Sequence, residues 1–171
     1  MAISSKSSGP WWPKLNVPVR KREELMSLQD LEAKSELKQL VDTFSNLGDE
    51  KRIKDQMSLF TPDTKVQVYM GDDLVFDISG VEQLEETFSG FIANVTRLFH
   101  MNGQQVVDVD GDSATGIAYC QVKLVTEEDG KEFITDSSVR YKDEYVQRDG
   151  RWLIKTRISH FMINDKRPLG S

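Results

Sequence analysis

The chain is acidic: its 171 residues carry 28 Asp and Glu against 22 Lys and Arg, a formal charge of −6, so nucleic acid is not an expected partner. A single cysteine excludes an internal disulfide, and the lack of a secretory signal or of an apolar run of roughly 18 residues predicts a cytoplasmic protein without a membrane partner. The length fits one domain, expected at 27–165 and followed by a tail at 166–171, since about 150 residues bury roughly 70% of their unfolded surface.

Residues 1–26 are predicted to form an arm in front of this domain. Three prolines interrupt the arm, and each disfavours a helix in the residue before it. Trp11 and Trp12 give the arm two large apolar side chains, which usually find a partner surface. Two interpretations stay open: the arm lies loosely on its own domain, or it docks across a dimer or over the mouth of a pocket.

Three segments with apolar residues at helical spacing predict three helices. Ser27 or Asp30 can cap the first helix, which is expected to end at Gly48. The second helix follows and stops at Pro62, and the third begins after Gly80. The apolar residues expected to face the core are Leu37, Leu40, Val41, Phe44 and Leu47 in the first helix, Ile53, Met57 and Phe60 in the second, and Val81, Leu84, Phe88, Phe91, Ile92 and Val95 in the third.

Alternation of apolar and polar residues predicts six strands, a hairpin and then a meander whose turns are Asp-Gly pairs. The expected strands are Lys65–Met70, Leu74–Ile78, Phe99–Val109, Ala114–Thr126, Lys131–Gln147 and Arg151–Ile163. Strands as long as the last four twist and curl around a core. The order of elements therefore predicts an α+β fold, in which a cone-shaped, curved antiparallel sheet wraps around the three helices.

Short motifs in a fixed order give the chain a resemblance to a known family. These motifs are Leu47-Gly48-Asp49, Leu59-Phe60 with Asp63, His100-Met101-Asn102-Gly103, the run from Val109 to Gly116, Tyr141-Lys142-Asp143 and Gly150-Arg151-Trp152-Leu153-Ile154. From about Glu36 to Phe161 the chain resembles the SnoaL-like branch of the nuclear transport factor 2-like superfamily, which includes scytalone and bile-acid dehydratases. The resemblance implies a cystatin-like roll with a cone-shaped cavity between sheet and helices, commonly in a homodimer.

The resemblance also implies catalytic roles for Asp49 and His100. Asp49 matches the position of a catalytic carboxylate in the family's dehydratases, and His100 matches a pocket histidine used in acid/base work. A carboxylate can orient a histidine and stabilise its charged form, and an imidazole with a pKa near 6.5 exchanges protons at neutral pH. Tyr69 falls near a tyrosine that contacts a substrate oxygen, so it is a candidate hydrogen-bond donor.

Departures from the family's pattern predict a different substrate and an apolar cavity wall. Phe44 stands where the bile-acid dehydratases carry a tyrosine, so one hydrogen-bond donor is lost. Ala118 stands at the place of a second histidine in scytalone dehydratase, so a mechanism with two imidazoles is not available. If Ala118, Cys120 and Val122 point inward, that wall is wide and apolar. Arg157 matches a recurring arginine of the family and is a candidate ligand clamp.

Each candidate also has a purely structural interpretation. Asp49 can cap the next helix, and His100 can be a half-buried histidine at the start of a strand. Arg157 lies on the opposite parity of its strand from Trp152. Without a bulge it therefore faces away from the cavity and pairs with a carboxylate such as Asp143.

The sequence supports two functions of different class. The first is a lyase or isomerase of dehydratase type that acts on a small apolar cyclic or polyketide-like molecule. In it His100 moves a proton beside a carbonyl, Asp49 orients His100, and Tyr69 polarises an oxygen. The second is a non-catalytic ligand-binding or accessory domain, which Phe44 and Ala118 favour. The enzyme ranks first because an acid and an imidazole are costly to place in an apolar pocket.

Neither a metal nor an organic cofactor is expected. The two histidines and one cysteine do not show the spacing of a metal-ligand cluster, and the chain has no glycine-rich phosphate loop. The expected partners are therefore a small apolar molecule in the pocket and a second copy of the chain.

Overall fold

The opening helix, α1, spans Leu28–Asp49 in the computed structural model, which describes residues 27–170. Ser27 and Asp30 form a capping box. The Ser27 hydroxyl accepts a hydrogen bond from the backbone N–H of Asp30, and the Asp30 carboxylate accepts one from that of Ser27. The two predicted start residues therefore act together. The predicted arm at 1–26, with its tryptophan pair, lies outside the described residues.

The two shorter helices are α2, Ile53–Met57, and α3, Val81–Ile92. Helix α2 ends earlier than predicted, because the chain is already extended at Phe60 and Pro62 lies inside a strand. The pairing of that strand shifts register between Phe60 and Lys65, and a proline is tolerated where regular pairing is interrupted. No helix in the described part of the chain is both long and apolar enough to span a membrane.

Six strands form one sheet, and the predicted hairpin and meander are confirmed. The strands are β1 Phe60–Met70, β2 Asp73–Ser79, β3 Val95–Asp110, β4 Ser113–Glu128, β5 Lys131–Arg148 and β6 Arg151–Pro168. Their order is β2-β1-β6-β5-β4-β3, and all neighbours are antiparallel except β1 and β6. Both residues of the turns Asp129-Gly130 and Asp149-Gly150 have positive φ, as type I′ turns require. The predicted tail at 166–171 begins inside β6.

The sheet is curved and unclosed, with α1 packed along β3 and α3 along β1. Asn102 links β3 to α1, because its amide donates to the Asp42 carboxylate at 3.0 Å and its carbonyl accepts from the Ser45 hydroxyl at 3.1 Å. The α1 residues that are buried in the core are Leu37, Leu40, Val41 and Phe44. The predicted α+β fold, with a curved sheet around helices, is confirmed.

Strand β6 changes face partway along its length. Directly after Ile154 the pairing with β5 skips Lys155, which forms a bulge. An extra residue shifts the alternation of side chains by one, so Ile154 and Arg157 are both buried on the inner face despite their odd separation. This bulge places Arg157 beside the helices.

Candidate functional site

A cavity of about 120 Å³ lies between the inner face of the sheet and the helices. Its apolar lining is Phe44, Ile53, Val68, Met70, Phe76, Phe88, Phe91, Ile92, Leu98, Val122, Leu124 and Phe161. The side chains with polar groups in the lining are Gln56, Thr87, His100, Tyr141, Arg157 and Ser159. An apolar enclosure with a few polar groups is the usual composition of a small-molecule site.

Asp49 and His100 meet at the end of α1. The Nδ1 atom of His100 lies 2.6 Å from Oδ1 of Asp49, and the backbone N–H of His100 donates to Oδ2 at 3.0 Å. Both carboxylate oxygens of Asp49 are therefore bound to one residue, which holds the imidazole ring in a single orientation. An ionised carboxylate only accepts hydrogen bonds, so Nδ1 donates to Asp49, and in the neutral imidazole the lone pair is on Nε2.

The burial of this pair is uneven. The His100 side chain is 10% exposed and lines the cavity, whereas the Asp49 side chain is 25% exposed and lies outside the lining. Helix α2 begins after Arg52 and has no side-chain cap, so capping by Asp49 is not observed. In this fold the carboxylate of Asp49 binds His100 instead of a helix N-terminus.

Arg157 is a buried cation in the cavity wall. Its Nε and Nη2 atoms donate to the two carboxylate oxygens of Asp143 at 2.8 and 2.7 Å, and the Tyr145 hydroxyl donates to the same carboxylate at 2.7 Å. Its guanidinium carbon lies 4.3 Å from the ring centroid of Phe44 and 4.4 Å from that of Tyr141. The third nitrogen, Nη1, is buried and has no hydrogen-bond partner in the described part of the chain.

The electrostatics keep this wall in one protonation state. Burial alone would lower the pKa of Arg157, but the Asp143 carboxylate outweighs burial and holds that pKa above its usual value. Burial raises the pKa of Tyr141 and of Tyr145 above their ordinary value, so both phenols stay neutral. Arg157 is therefore a permanent charge, and its predicted pairing with Asp143 is confirmed. The outward orientation was predicted for a strand without a bulge, and the bulge at Lys155 turns Arg157 inward instead.

The sequence profile of the SnoaL-like domain family matches residues 29–158, well over half of the chain. The chain belongs to the SnoaL-like family. An uncharacterised protein of Mycobacterium tuberculosis strain H37Rv is 26% identical to it over 135 residues, which cover 78% of this chain and 88% of that protein. The family predicted from the sequence motifs is confirmed.

Solved structures share the SnoaL-like architecture of this chain. A candidate scytalone dehydratase from Novosphingobium aromaticivorans superposes with a TM-score of 0.70 at 17% identity, covering 83% of this chain and 92% of that one. The hexachlorocyclohexane dehydrochlorinase of Novosphingobium barchaimii gives 0.69 at 16% identity, with coverages of 84% and 94%. A cystatin-like protein of unknown function from Nostoc punctiforme gives 0.62 at 21%, with coverages of 80% and 94%. At these identities the likeness concerns the fold.

The predicted wall of this SnoaL-like cavity is only partly in its lining. Phe44 and Val122 line the cavity, as the sequence predicted. Ala118 and Cys120 are buried on the same face of β4 as Val122 but lie nearer the start of the strand, outside the lining. Burial raises the pKa of the Cys120 thiol to about 11, which makes it a wall residue of the core rather than a nucleophile.

Tyr69 is not at the cavity, which corrects its predicted role as a donor to substrate. Its neighbours Val68 and Met70 line the cavity, and side chains alternate along a strand, so Tyr69 faces the other side of the sheet. There its ring stacks on that of His160 with 4.8 Å between the centroids. Burial and then the charge of Arg140 lower the pKa of His160. After the bulge at Lys155, the residues of β6 that face the cavity are Arg157, Ser159 and Phe161. His160 therefore faces the other side of the sheet and is outside the lining.

Gln56 and Tyr141 are among the lining residues for which the sequence predicted no role in the site. Gln56 follows Ile53 by three positions on α2, so a polar residue inside an apolar helical stripe was the available signal. Tyr141 is part of the site because its ring packs against the guanidinium of Arg157, and no sequence pattern indicated that contact. Among the described residues, no group of three or more His, Cys, Asp or Glu side chains has an arrangement that could hold a metal ion.

Proposed function

We propose that this protein is a lyase or isomerase of dehydratase type that acts on a small, largely apolar cyclic compound. The observation that carries the proposal is the 2.6 Å contact between Asp49 and His100 beside an apolar cavity. Asp49 holds the tautomer in which Nε2 of His100 is a base. A base in the wall of such a cavity suits the removal of a proton next to a carbonyl group.

Arg157 supports the same chemistry. It has a permanent charge and a free donor, Nη1, and it takes the oxygen-polarising role that the sequence gave to Tyr69. A cation in a water-poor wall stabilises an oxygen that becomes negative during a reaction. The carbonyl oxygen of the substrate therefore binds at Arg157, and the acidic carbon faces His100.

For a β-hydroxy ketone the steps balance without an oxidant or reductant. Nε2 of His100 takes the proton from the carbon between the carbonyl and the carbinol, and the electron pair moves to the carbonyl oxygen as an enolate. The pair then returns, a C=C bond forms and the C–O bond of the hydroxyl breaks. The hydroxyl leaves as water with the proton from His100, so the imidazole ends neutral.

The size of the cavity narrows the substrate class. The volume of about 120 Å³ is close to that of an apolar cavity of roughly 150 Å³ that binds benzene, so the ligand is expected to contain a single ring. The product of the proposed reaction, a cyclic enone, has nearly the same size. We therefore take 3-hydroxycyclohexanone as the probe of activity.

Formation of cyclohexenone from this probe, followed by ultraviolet absorbance, tests the proposal. The wild type is expected to release enone, and His100→Ala to lose on the order of 10²–10⁴-fold of the rate. His160→Ala is the matched control, because the chain's other histidine lies on the opposite face of the sheet and its variant should keep the wild-type rate. Equal rates in the wild type and His100→Ala would overturn the proposal.

A ligand-binding domain without turnover is the second candidate function. The observation that favours it is Phe44, which stacks on Arg157 and offers no hydrogen bond to a substrate. In this case the probe raises the melting temperature of the wild type, and no enone forms. The homodimer implied by the family resemblance stays a prediction, which equilibrium sedimentation tests.

A further inference from the structure

We infer that Gln56 makes the cavity specific for ligands with a hydroxyl group, that is, for cyclic β-hydroxy ketones over the corresponding ketones. The inference rests on the proposed function and adds to it a polar group that reads the substrate. Gln56 is 2% exposed and lines the cavity from α2. A polar side chain at this position is the exception in an otherwise apolar helical face.

The orientation of the Gln56 amide is determined by one contact. Its Nε2 atom donates to the backbone carbonyl oxygen of Phe44 at 2.8 Å. The reverse orientation would bring two oxygen acceptors together, which is repulsive. Oε1 is therefore the end of the amide that is free to bind another group, and it acts only as an acceptor.

Oε1 of Gln56 is buried and has no hydrogen-bond partner among residues 27–170. Buried acceptors without partners are rare in folded proteins, and a site that leaves one in the wall of a cavity is suited to a ligand that donates to it. A hydroxyl group is the neutral donor that fits an apolar cavity of this size. A ketone alone has no donor to offer.

Gly48 lies beside both the Gln56 amide and the proposed base. A Cβ atom at Gly48 would lie 3.2 Å from Nε2 of Gln56, the donor end of the amide, and 3.5 Å from Cε1 of His100, so both side chains approach the same backbone position. Gln56 and His100 also both line the cavity, so a ligand bound there can contact the two side chains at once. With Arg157 as donor to the carbonyl oxygen, the polar lining matches a ring that carries an acceptor and a donor.

The test compares 3-hydroxycyclohexanone with cyclohexanone by ligand-observed NMR titration of the full chain. We expect the wild type to bind the hydroxy ketone about tenfold more tightly or better, because sites built to bind a hydroxyl reject analogues without it. In Gln56→Met the ratio of the two dissociation constants should fall close to one. Gln56→Glu keeps an acceptor oxygen, and its protonated carboxyl group also keeps a donor for the carbonyl oxygen of Phe44, so it should retain the preference when the titration is run at low pH.

Thr96→Val is the matched control outside the lining. The Thr96 hydroxyl does not face the cavity and donates to the carbonyl oxygen of Val125 at 3.0 Å, so the ratio should stay at the wild-type value. A wild-type ratio near one, no binding of either ketone, or an unchanged ratio in Gln56→Met would overturn the inference.

The two proposals fail differently. If the wild type forms enone in a His100-dependent way while Gln56→Met keeps the preference for the hydroxy ketone, Gln56 has no role in specificity and the proposed function stands. If the preference depends on Gln56 but no enone forms, the hydroxyl site is supported and the enzyme is replaced by a ligand-binding domain.

Discussion

The cavity wall contains two residues that each pair with a carboxylate, and the two pairs differ in burial. The side chains of Arg157 and Asp143 are 1% and 0% exposed, whereas those of His100 and Asp49 are 10% and 25% exposed. The carboxylate of Asp143 holds the pKa of Arg157 above its usual value, so the guanidinium of the first pair stays charged. The second pair contains an imidazole, a group suited to proton transfer, and a carboxylate that reaches solvent.

This difference separates two tasks of a candidate active site. A fixed charge that polarises an oxygen is most effective when water is excluded from it. In the proposed cycle His100 passes the proton that it takes to the leaving hydroxyl group, and the water that forms needs a path out of the cavity. Burial of the arginine pair and partial exposure of the histidine pair fit this division of labour.

The largest effect is expected from breaking the arginine pair. Asp143→Ala leaves the Arg157 charge buried without its partner, which should lower the free energy of unfolding by about 3–5 kcal/mol. Urea denaturation measures this loss. Glu132→Ala removes one partner of the exposed Arg97–Glu132 pair and should cost less than about 1 kcal/mol. A similar small cost for Asp143→Ala would show that the two kinds of pair do not differ.

A substitution that crowds Tyr145, which binds the Asp143 carboxylate of the arginine pair, should have the next largest effect. A Cβ atom at Gly116 would lie 2.9 Å from Cε2 of Tyr145 and from Cγ1 of Val107. Because Tyr145 donates to Asp143, Gly116→Ala should destabilise the fold by about 1–3 kcal/mol. Thermal unfolding measures it. The control is Gly103→Ala, where the nearest atom is 3.6 Å away, and an equal loss there would contradict the prediction.

Gly48→Ala tests the histidine pair without breaking it. Alanine favours the helix by up to about 1 kcal/mol over glycine, but its Cβ would crowd Nε2 of Gln56 at 3.2 Å and touch Cε1 of His100 at 3.5 Å. We expect the free energy of unfolding to stay within about 1 kcal/mol of wild type, and kcat/KM on 3-hydroxycyclohexanone to fall about tenfold. Gly90→Ala in α3, where no atom lies within 4 Å, should leave activity unchanged. An unchanged kcat/KM in Gly48→Ala would show that the packing at this glycine does not influence the site.

The smallest effect concerns Cys120, which belongs to neither pair. Burial raises its pKa from 9.0 to about 11, so the folded protein has about 100-fold less thiolate than the unfolded chain at pH 8. Alkylation by iodoacetamide should be at least that much slower in the native state. The raised pKa also means that the thiol stabilises the fold below pH 9 and that this contribution is lost as the pH rises toward 11. Cys120→Ala should lack that pH dependence, and a fast native reaction would contradict the assigned burial.

Much of the fold and half of the site followed from the sequence, for reasons that individual residues show. The capping box of Ser27 and Asp30 and the Asp-Gly turns act over a few residues, so local patterns predicted the helix start and the hairpins. Pairing of Asp49 with His100 could be expected only because the family motifs carry both. Pro62 was misread, since a proline stops a helix but is also tolerated at an irregular strand pairing.

The rest of the site depends on which face of a strand each side chain occupies and on contacts between residues that are far apart in the chain. The inward position of Arg157 follows from one extra residue at Lys155, and alternation alone would turn it outward. Tyr69 shows the same sensitivity, because a shift of one residue moves a strand side chain to the opposite face. The role of Gln56 depends on a carbonyl group twelve residues earlier in the chain.

By itself, the sequence determined the α+β architecture, the order of its elements and the pairing of an acid with a histidine, because periodicity, turn chemistry and family motifs are written in consecutive residues. Only the tertiary structure decided which polar atoms share the cavity and which of them lack a partner. Burial and hydrogen bonding are properties of atoms brought together by β-bulges and packing, and no local pattern specifies them.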